Sequence, residues 1–394
     1  MKLLLLVVGF YLTCYVLYQY LLIGSRLLVK ESLPRTAGQR TRFAILIPAH
    51  NEEALLAESL RSIDEQRYPK SLYQCVVIAD NCTDNTAGVA LGEGATVLER
   101  RDSTHRGKGH ALKWGLTQME LRNYDAVLVL DADSRLGQHC VAELDAFMQS
   151  GENAIQCSNN VDNPDESWFS SLTDVSRSFV NEMCLAAKQR LGLSAYLMGN
   201  GMCFSTALLE RYGWNAFTVG EDWEFYAYLV LQGERVGFCR TAKVFHREST
   251  SLKQATSQRM RWSSGRFLVA AQFGSRLFIA GLIERSMLKL DASLPLLFPN
   301  LSLGVNLTLL GLVASALTSS HDPSRLALVS YFVMLILLQA CMFLSGIIFT
   351  HNKKKRVAAV VLAPLFLMWK MGIDLCSIVG FGRAGWSTSH RKSL

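Results

Sequence analysis

"AVLVLDADS", residues 126–134, decides how the chain is read. An unbroken apolar run leads straight into Asp131, Ala132, Asp133 and Ser134. A run this apolar fits a strand buried on both faces, the habit of parallel sheets covered by helices. Two carboxylates one residue apart at its end can share a hard divalent cation. Mg2+ and Mn2+ are held by one or two carboxylates together with substrate phosphates. Asp and Ser are also ordinary turn residues, so the pair alone fits a solvated turn equally well.

The same pattern recurs upstream. "FAILIPAH" (43–50), "CVVIAD" (75–80) and "TVLER" (96–100) read as strands. "EEALLAESLRSIDEQ" (52–66) and "KGHALKWGLTQMEL" (108–121) have helical spacing. Alternating strands and helices predict an α/β domain over 35–265. Ligands of such sheets bind beyond the carboxyl ends of the strands. His50, Asn51 and Glu52, then Asp80, then Asp131 and Asp133 all fall at strand ends, so the sheet gathers them along one rim. Asp80 suits hydrogen bonds from a nucleotide, although Asn81, Thr83 and Asp84 also fit helix caps. Lys108, between glycines in "RGKGHAL", can meet a phosphate; a basic loop beside Arg100, Arg101 and Arg106 explains it too. No G-x-G-x-x-G follows the first strand and no G-x-x-x-x-G-K-[ST] occurs, which argues against a dinucleotide fold and a P-loop.

The apolar residues are unevenly spread. Leu3–Ser25 carries no charge and is long enough to span a bilayer, so residues 1–25 read as a retained membrane helix. Arg26, Lys30, Arg35, Arg40 and Arg42 follow it and place that flank in the cytoplasm. Residues 266–290 read as an amphipathic interfacial helix. Two further spans are expected within 291–350, from Ala292–Ser320 and Leu326–Thr350. "HNKKKR" (351–356) then returns the chain to the cytoplasm. The last segment, 351–394, holds an apolar stretch (357–382) interrupted by Lys370 and Asp374, read as interfacial or re-entrant, and a basic tail. The predicted location is the cytoplasmic (inner) membrane, multi-pass, with the α/β domain facing the cytoplasm. The ten cysteines show no C-x-x-C pair, which fits a reduced compartment.

Three more stretches carry chemistry. In "GEDWEF" (220–225), Glu221 and Asp222 would open a helix, where the dipole stabilises acids by about 0.3–1 kcal/mol. The sharper reading makes Asp222 a general base for an acceptor hydroxyl. "QRMRW" (258–262) puts Gln258, Arg261 and Trp262 on one helix face. An arginine there can hold a diphosphate and an indole can stack on a sugar; a membrane-interface anchor is the plainer role. "VFHRES" (244–249) offers His246, a further metal ligand or a structural hydrogen-bonder.

In their order and spacing, "IPAHNEE", "VIADNCTDNTA", "RGKGHAL", "DADS", "GNGMCF", "GEDWE" and "QRMRW" together resemble the family 2 glycosyltransferases of the GT-A (Rossmann-like) fold. Within it they look like the membrane-bound β-glycosyltransferases that include cellulose, chitin, hyaluronan and poly-N-acetylglucosamine synthases. The resemblance covers roughly 41–265, and the terminal "GWSTSHR" (385–391) fits it. It implies a UDP-sugar donor, with His50, Asn51, Glu52 and Asp80 at the base and uridine, and Lys108 and Asp131 in the nucleotide-sugar site. It implies Mg2+ or Mn2+ on Asp131 and Asp133. The chain departs from the pattern at "VFHRES", where many polymer synthases carry an acidic residue and a proline, and there His246 could complete the metal site. Asp222 would be the base with Glu221 beside it. Gly199, Asn200 and Gly201 would join Gln258, Arg261 and Trp262 around the diphosphate and acceptor. The implied reaction is inverting transfer to a growing β-linked polysaccharide or oligosaccharide, with export or assembly partners. The alternative is a single transfer to a lipid or lipid-linked acceptor. The bilayer is a partner and nucleic acid is not. A non-catalytic nucleotide-binding membrane protein would lack base or metal ligands, and none is missing. A transporter would carry polar pathway residues within the spans, and these are scarce.

Overall fold

The computed structural model describes residues 2–28, 38–249, 252–318 and 323–382. The 385–391 motif and the basic tail lie outside the described residues, as do Lys30 and Arg35.

Eight strands form one sheet: β1 (Phe43–Ala49), β2 (Tyr73–Asp80), β3 (Thr96–Arg100), β4 (Ala126–Val129), β5 (Ser134–Leu136), β6 (Ala154–Val161), β7 (Met202–Ser205) and β8 (Val236–His246). Their order is β3-β2-β1-β4-β7-β6-β8-β5. The first half is parallel, with Phe43 opposite Tyr73 on one side and Ala126 on the other. Every residue of β1 is buried, because helices cover both faces. Period-two alternation sends Ala44 and Leu46 into the layer of Leu112, Phe204 and Phe225, and Phe43, Ile45 and Ile47 into that of Leu60, Leu128 and Cys157. The expected strand over 126–134 ends at Val129. Residues 134–136 leave it to pair antiparallel with β8, Ser134 facing His246. The sheet is mixed, since β7 runs antiparallel between β4 and β6.

The domain rests on the apolar helices. By length and composition Lys2–Arg26, Lys253–Ile283 and Arg325–Phe349 could each cross a membrane. Two bent pairs, Met287–Leu297 with Leu301–Ala316 (62°) and Lys353–Val360 with Ala363–Ile378 (63°), raise that to as many as five. Three expectations change here. The 265/266 boundary falls inside helix Leu252–Val269, which runs on through a π turn (Ala270–Gly274) into Ser275–Ile283. The expected straight span from Ala292 breaks before Pro299, where proline interrupts the helical ladder. Lys370 and Asp374, the charges interrupting 357–382, pair with each other one helical turn apart and with Ser263, so both are buried. From the basic 351–356 cluster, Arg356 is fully buried. It holds Asp174 and Asp165 at 2.6 Å each and the Pro164 carbonyl at 3.0 Å, fastening the last helices to the α/β domain.

Candidate active site

Lys108 opens the helix Lys108–Gln118. Its Nζ donates to Asp131 Oδ1 and to the Gly199 carbonyl, both at 2.5 Å, and lies 3.8 Å from Glu221 Oε1. One ammonium thus joins the end of the β4 run, the glycine loop before β7 and the start of helix Glu221–Leu231. Burial pulls its pKa down, but Asp131, Glu221 and Asp222 outweigh that and hold it above the ordinary lysine value.

The glycine loop is shaped for this meeting. Gly199 has φ 76°, where a side chain would be strained. A Cβ there would stand 3.3 Å from Asp222 Oδ2. Asn200 accepts from the Asp131 backbone N–H at 3.1 Å and donates to Ser134 Oγ at 2.9 Å, and Ser134 Oγ reaches Asp133 Oδ1 at 3.3 Å. Asn200 therefore ties both ends of the D-x-D turn. Gly201 lies outside the chamber wall: a Cβ there would meet Val244 and Cys157 at 2.8 and 2.9 Å.

Glu221 and Asp222 do start a helix, behind Gly220. A Cβ on Gly220 would lie 2.8 Å from the Gly265 backbone, and one on Gly265 would lie 2.7 Å from the Gly220 nitrogen. Backbone meets backbone, so the helix of Gln258, Arg261 and Trp262 is pinned beside the acidic pair. Asp222 Oδ1 accepts from the Trp223 N–H at 2.8 Å. Burial, then the neighbouring Glu221, pushes the Asp222 carboxyl up to about 7, and burial raises Glu221 as well.

Asp131, Asp133, Glu221, Asp222, Arg261 and Trp262 share one cavity of about 1270 Å3 with Glu52, Lys108, Gly199, Asn200, His246 and Gln258. His50, Asn51 and Asp80 are not among its walls. His50 Nδ1 meets the Asp80 carbonyl at 2.7 Å, and Asn51 accepts from the Thr83 N–H at 2.7 Å. Buried Asp80 takes a 2.6 Å ion pair from Arg100. These residues knit the ends of β1 and β2 together, and Glu52 is the member that reaches the chamber.

Among the described residues, no three His, Cys, Asp or Glu side chains converge to hold a metal ion. His246, expected as a third ligand, lines the cavity, but its Nε2 faces Glu248 Oε1 at 3.2 Å. Asp131 and Asp133 both line it, and two carboxylates suffice for an ion that completes its shell on phosphate oxygens. The donor set fits Mg2+ or Mn2+ bound together with a diphosphate.

Sequence reasoning missed Glu248, Arg259 and Arg177. Glu248 is buried and accepts from Arg259 at 3.0 Å. Burial alone would raise its pKa; Arg259 and His246 reverse that and set it at about 2. Its stabilising contribution is full above its unfolded value of 4.5 and is lost as pH falls through about 2. Glu248→Gln leaves Arg259 buried without its counter-charge. The expected cost is about 3–5 kcal/mol, read as a lower melting temperature in detergent. Arg259 and Arg177 stand 5.7 and 6.0 Å from the Trp262 ring. Nothing in "VFHRES" or "QRMRW" alone announces that pairing, which joins segments folded together from different elements.

Comparisons with known proteins bear on this geometry. A family model described as "Glycosyltransferase like family 2" matches residues 40–265. The probable glycosyltransferase YdaM of Bacillus subtilis is 23% identical over 246 residues, 60% of this chain and 58% of the relative. The β-monoglucosyldiacylglycerol synthase of a Nostoc species is 27% identical over 237 residues, 56% of this chain and 48% of the relative. The chain thus spans about half the length of these curated relatives. Among solved structures, the mannosyltransferase PcManGT of Pyrobaculum calidifontis, in complex with GDP-Man and Mn2+, superposes with a TM-score of 0.58 at 19% identity. That match covers 91% of this chain and 98% of the other, and shows the GT-A fold.

Proposed function

The chain belongs to the glycosyltransferase-like family 2, and from that membership we propose that it transfers one sugar, with inversion, from a UDP-sugar to the hydroxyl of a membrane-embedded lipid. The observation that carries the acceptor is the continuity of that cavity. From Asp222 and Asp131 it continues into side chains of the apolar helices, among them Leu301, Val305, Ile336, Phe343, Leu344 and Leu367. The walls there are mainly apolar, with Asn306 and Gln339 among them but engaged to the Leu367 carbonyl and Thr308, which suits acyl or prenyl chains better than a saccharide chain. The Nostoc relative, named for a glucosyldiacylglycerol product, points the same way. Half-exposed Trp262, flanked by two guanidinium groups, favours the second reading, a saccharide acceptor stacked on the indole.

In the proposed reaction the Asp222 carboxylate takes the proton of the acceptor hydroxyl. That oxygen forms a bond to the anomeric carbon as the carbon–oxygen bond to the diphosphate breaks, and UDP leaves from the opposite face. Lys108 and Arg261 hold the diphosphate and receive its growing charge. Asp131 and Asp133 would hold the divalent ion, which supplies further charge neutralisation at the leaving group. The positive-inside pattern supports a cytoplasmic face for this chemistry.

Product size tests the acceptor. Purified protein in lipid vesicles with radiolabelled UDP-sugars is expected to give organic-phase lipid bearing one sugar; a water-soluble polymer would select the polysaccharide reading. The base also has a pH signature. Free-enzyme kcat/KM should rise about tenfold per pH unit up to about 7 and then level, because only the ionised carboxylate accepts a proton. A flat profile between pH 5 and 8 would remove Asp222 from that role.

A further inference from the structure

Arg177 lies on the helix Trp168–Phe179, which Ser167 and Ser170 cap reciprocally. That helix bears on the end of an apolar one: a Cβ on Gly346, just after Arg325–Ser345, would lie 2.4 Å from the Val175 carbonyl and 3.1 Å from the Phe179 nitrogen. Phe343 and Leu344, one turn earlier, wall the apolar arm. On its other side Arg177 meets the catalytic chamber, with its guanidinium 3.8 Å from Met198 Sδ, next to Gly199, and 6.0 Å from the Trp262 ring. The residue therefore stands where the apolar arm joins the chamber, and it lines the cavity.

Its charge is unmatched. Among the described residues no carboxylate pairs with Arg177, and its hydrogen-bond partner is a thioether, a weak acceptor. Its field reaches Glu248, but that carboxylate is already held by Arg259 at 3.0 Å and His246 at 3.2 Å. Arg356, by contrast, is satisfied by two aspartates. A guanidinium in a partly apolar cavity is costly unless something neutralises it. Its planar fork matches phosphate and carboxylate oxygens. In the proposed reaction the diphosphate is held by Lys108 and Arg261, which leaves Arg177 without an assigned anion.

We propose that Arg177 binds an oxyanion, phosphate or carboxylate, carried at the head of the apolar acceptor as it passes from the arm into the chamber. This rests on the lipid-acceptor reading and narrows it to acidic amphiphiles. Arg177 is then a specificity residue, acting on acceptor binding.

The test uses full-length protein in nanodiscs of neutral lipid, followed by tryptophan fluorescence. The probes are phosphatidic acid, oleate, diacylglycerol and inorganic phosphate, with UDP binding measured by calorimetry. Wild type is expected to bind phosphatidic acid or oleate at least tenfold more tightly than diacylglycerol. Arg177→Gln erases that preference, Arg177→Lys keeps part of it, and UDP affinity in both changes less than twofold. Five results overturn the proposal. An anionic preference that survives in Arg177→Gln places the selectivity elsewhere, such as the basic 353–355 surface. Inorganic phosphate competing as strongly as phosphatidic acid would make the site one for free anions. A tenfold loss of UDP affinity would move Arg177 to the donor. Equal binding of neutral and acidic lipid defeats this inference alone, whereas a wild type that binds UDP and no lipid defeats the lipid-acceptor reading with it.

Discussion

Asp222→Asn lowers sugar transfer by about 10²–10⁴-fold while UDP still binds. Asparagine keeps the shape of the side chain and an oxygen to accept from the Trp223 N–H, so the start of helix Glu221–Leu231 stays in place. The proton acceptor is what disappears. Transfer from a radiolabelled UDP-sugar, beside a calorimetric UDP titration, separates the two effects. Turnover near the wild-type rate would show that another group takes the proton. Glu221 makes the informative control. It too starts the helix, and it stands 3.8 Å from Lys108, so Glu221→Gln should act mainly on donor binding through that lysine.

The second large effect concerns the D-x-D turn. EDTA should abolish transfer, and Mn2+ or Mg2+ should restore it. Asp133→Asn should not be rescued at any ordinary metal concentration, since one of two carboxylates is gone. Asn200→Ala, which unties the turn without removing a ligand, should raise the metal concentration needed and leave the maximum rate closer to normal. Full activity in chelator would sink the assignment of Asp131 and Asp133 as metal ligands.

Much of this was legible before any coordinates. The buried parallel strands announce themselves as apolar runs, and a parallel sheet puts its loops on one rim. Strand ends gathered His50, Asn51, Glu52, Asp80, Asp131 and Asp133 on that rim, and of these Glu52, Asp131 and Asp133 line the cavity; Lys108 joined them only through the family resemblance. Helical spacing placed Gln258, Arg261 and Trp262 on one face, and all three line the cavity. Other features depend on contacts the sequence does not encode locally. Nothing in "VIADN" says that Asp80 will be claimed by Arg100, because that pairing follows from the β2–β3 register. His246 looked like a metal ligand because its neighbour two residues on, Glu248, gives no sign that it will be buried against Arg259. The break before Pro299 was visible as a residue, but its 62° bend was hidden in an apolar stretch that counts well as a span. Arg177 carried no motif at all; its position emerges only when its helix meets the end of another at Gly346.

The contact between Gly220 and Gly265 has a wider consequence. With no side chain between the two backbones there is no slack to take up and nothing to repack. The helix that presents Asp222 and the helix that presents Arg261 and Trp262 are set as one rigid body. The apolar arm of the cavity is built largely from other segments, Leu301–Ala316, Arg325–Ser345 and Ala363–Ile378. Ser263, on the helix of Arg261 and Trp262, also pairs with Lys370 and Asp374 of Ala363–Ile378, so the rigid body extends to one wall of the arm. A substitution that shifts Ala363–Ile378 is therefore expected to be felt at Arg261 and Trp262 as well as along the arm.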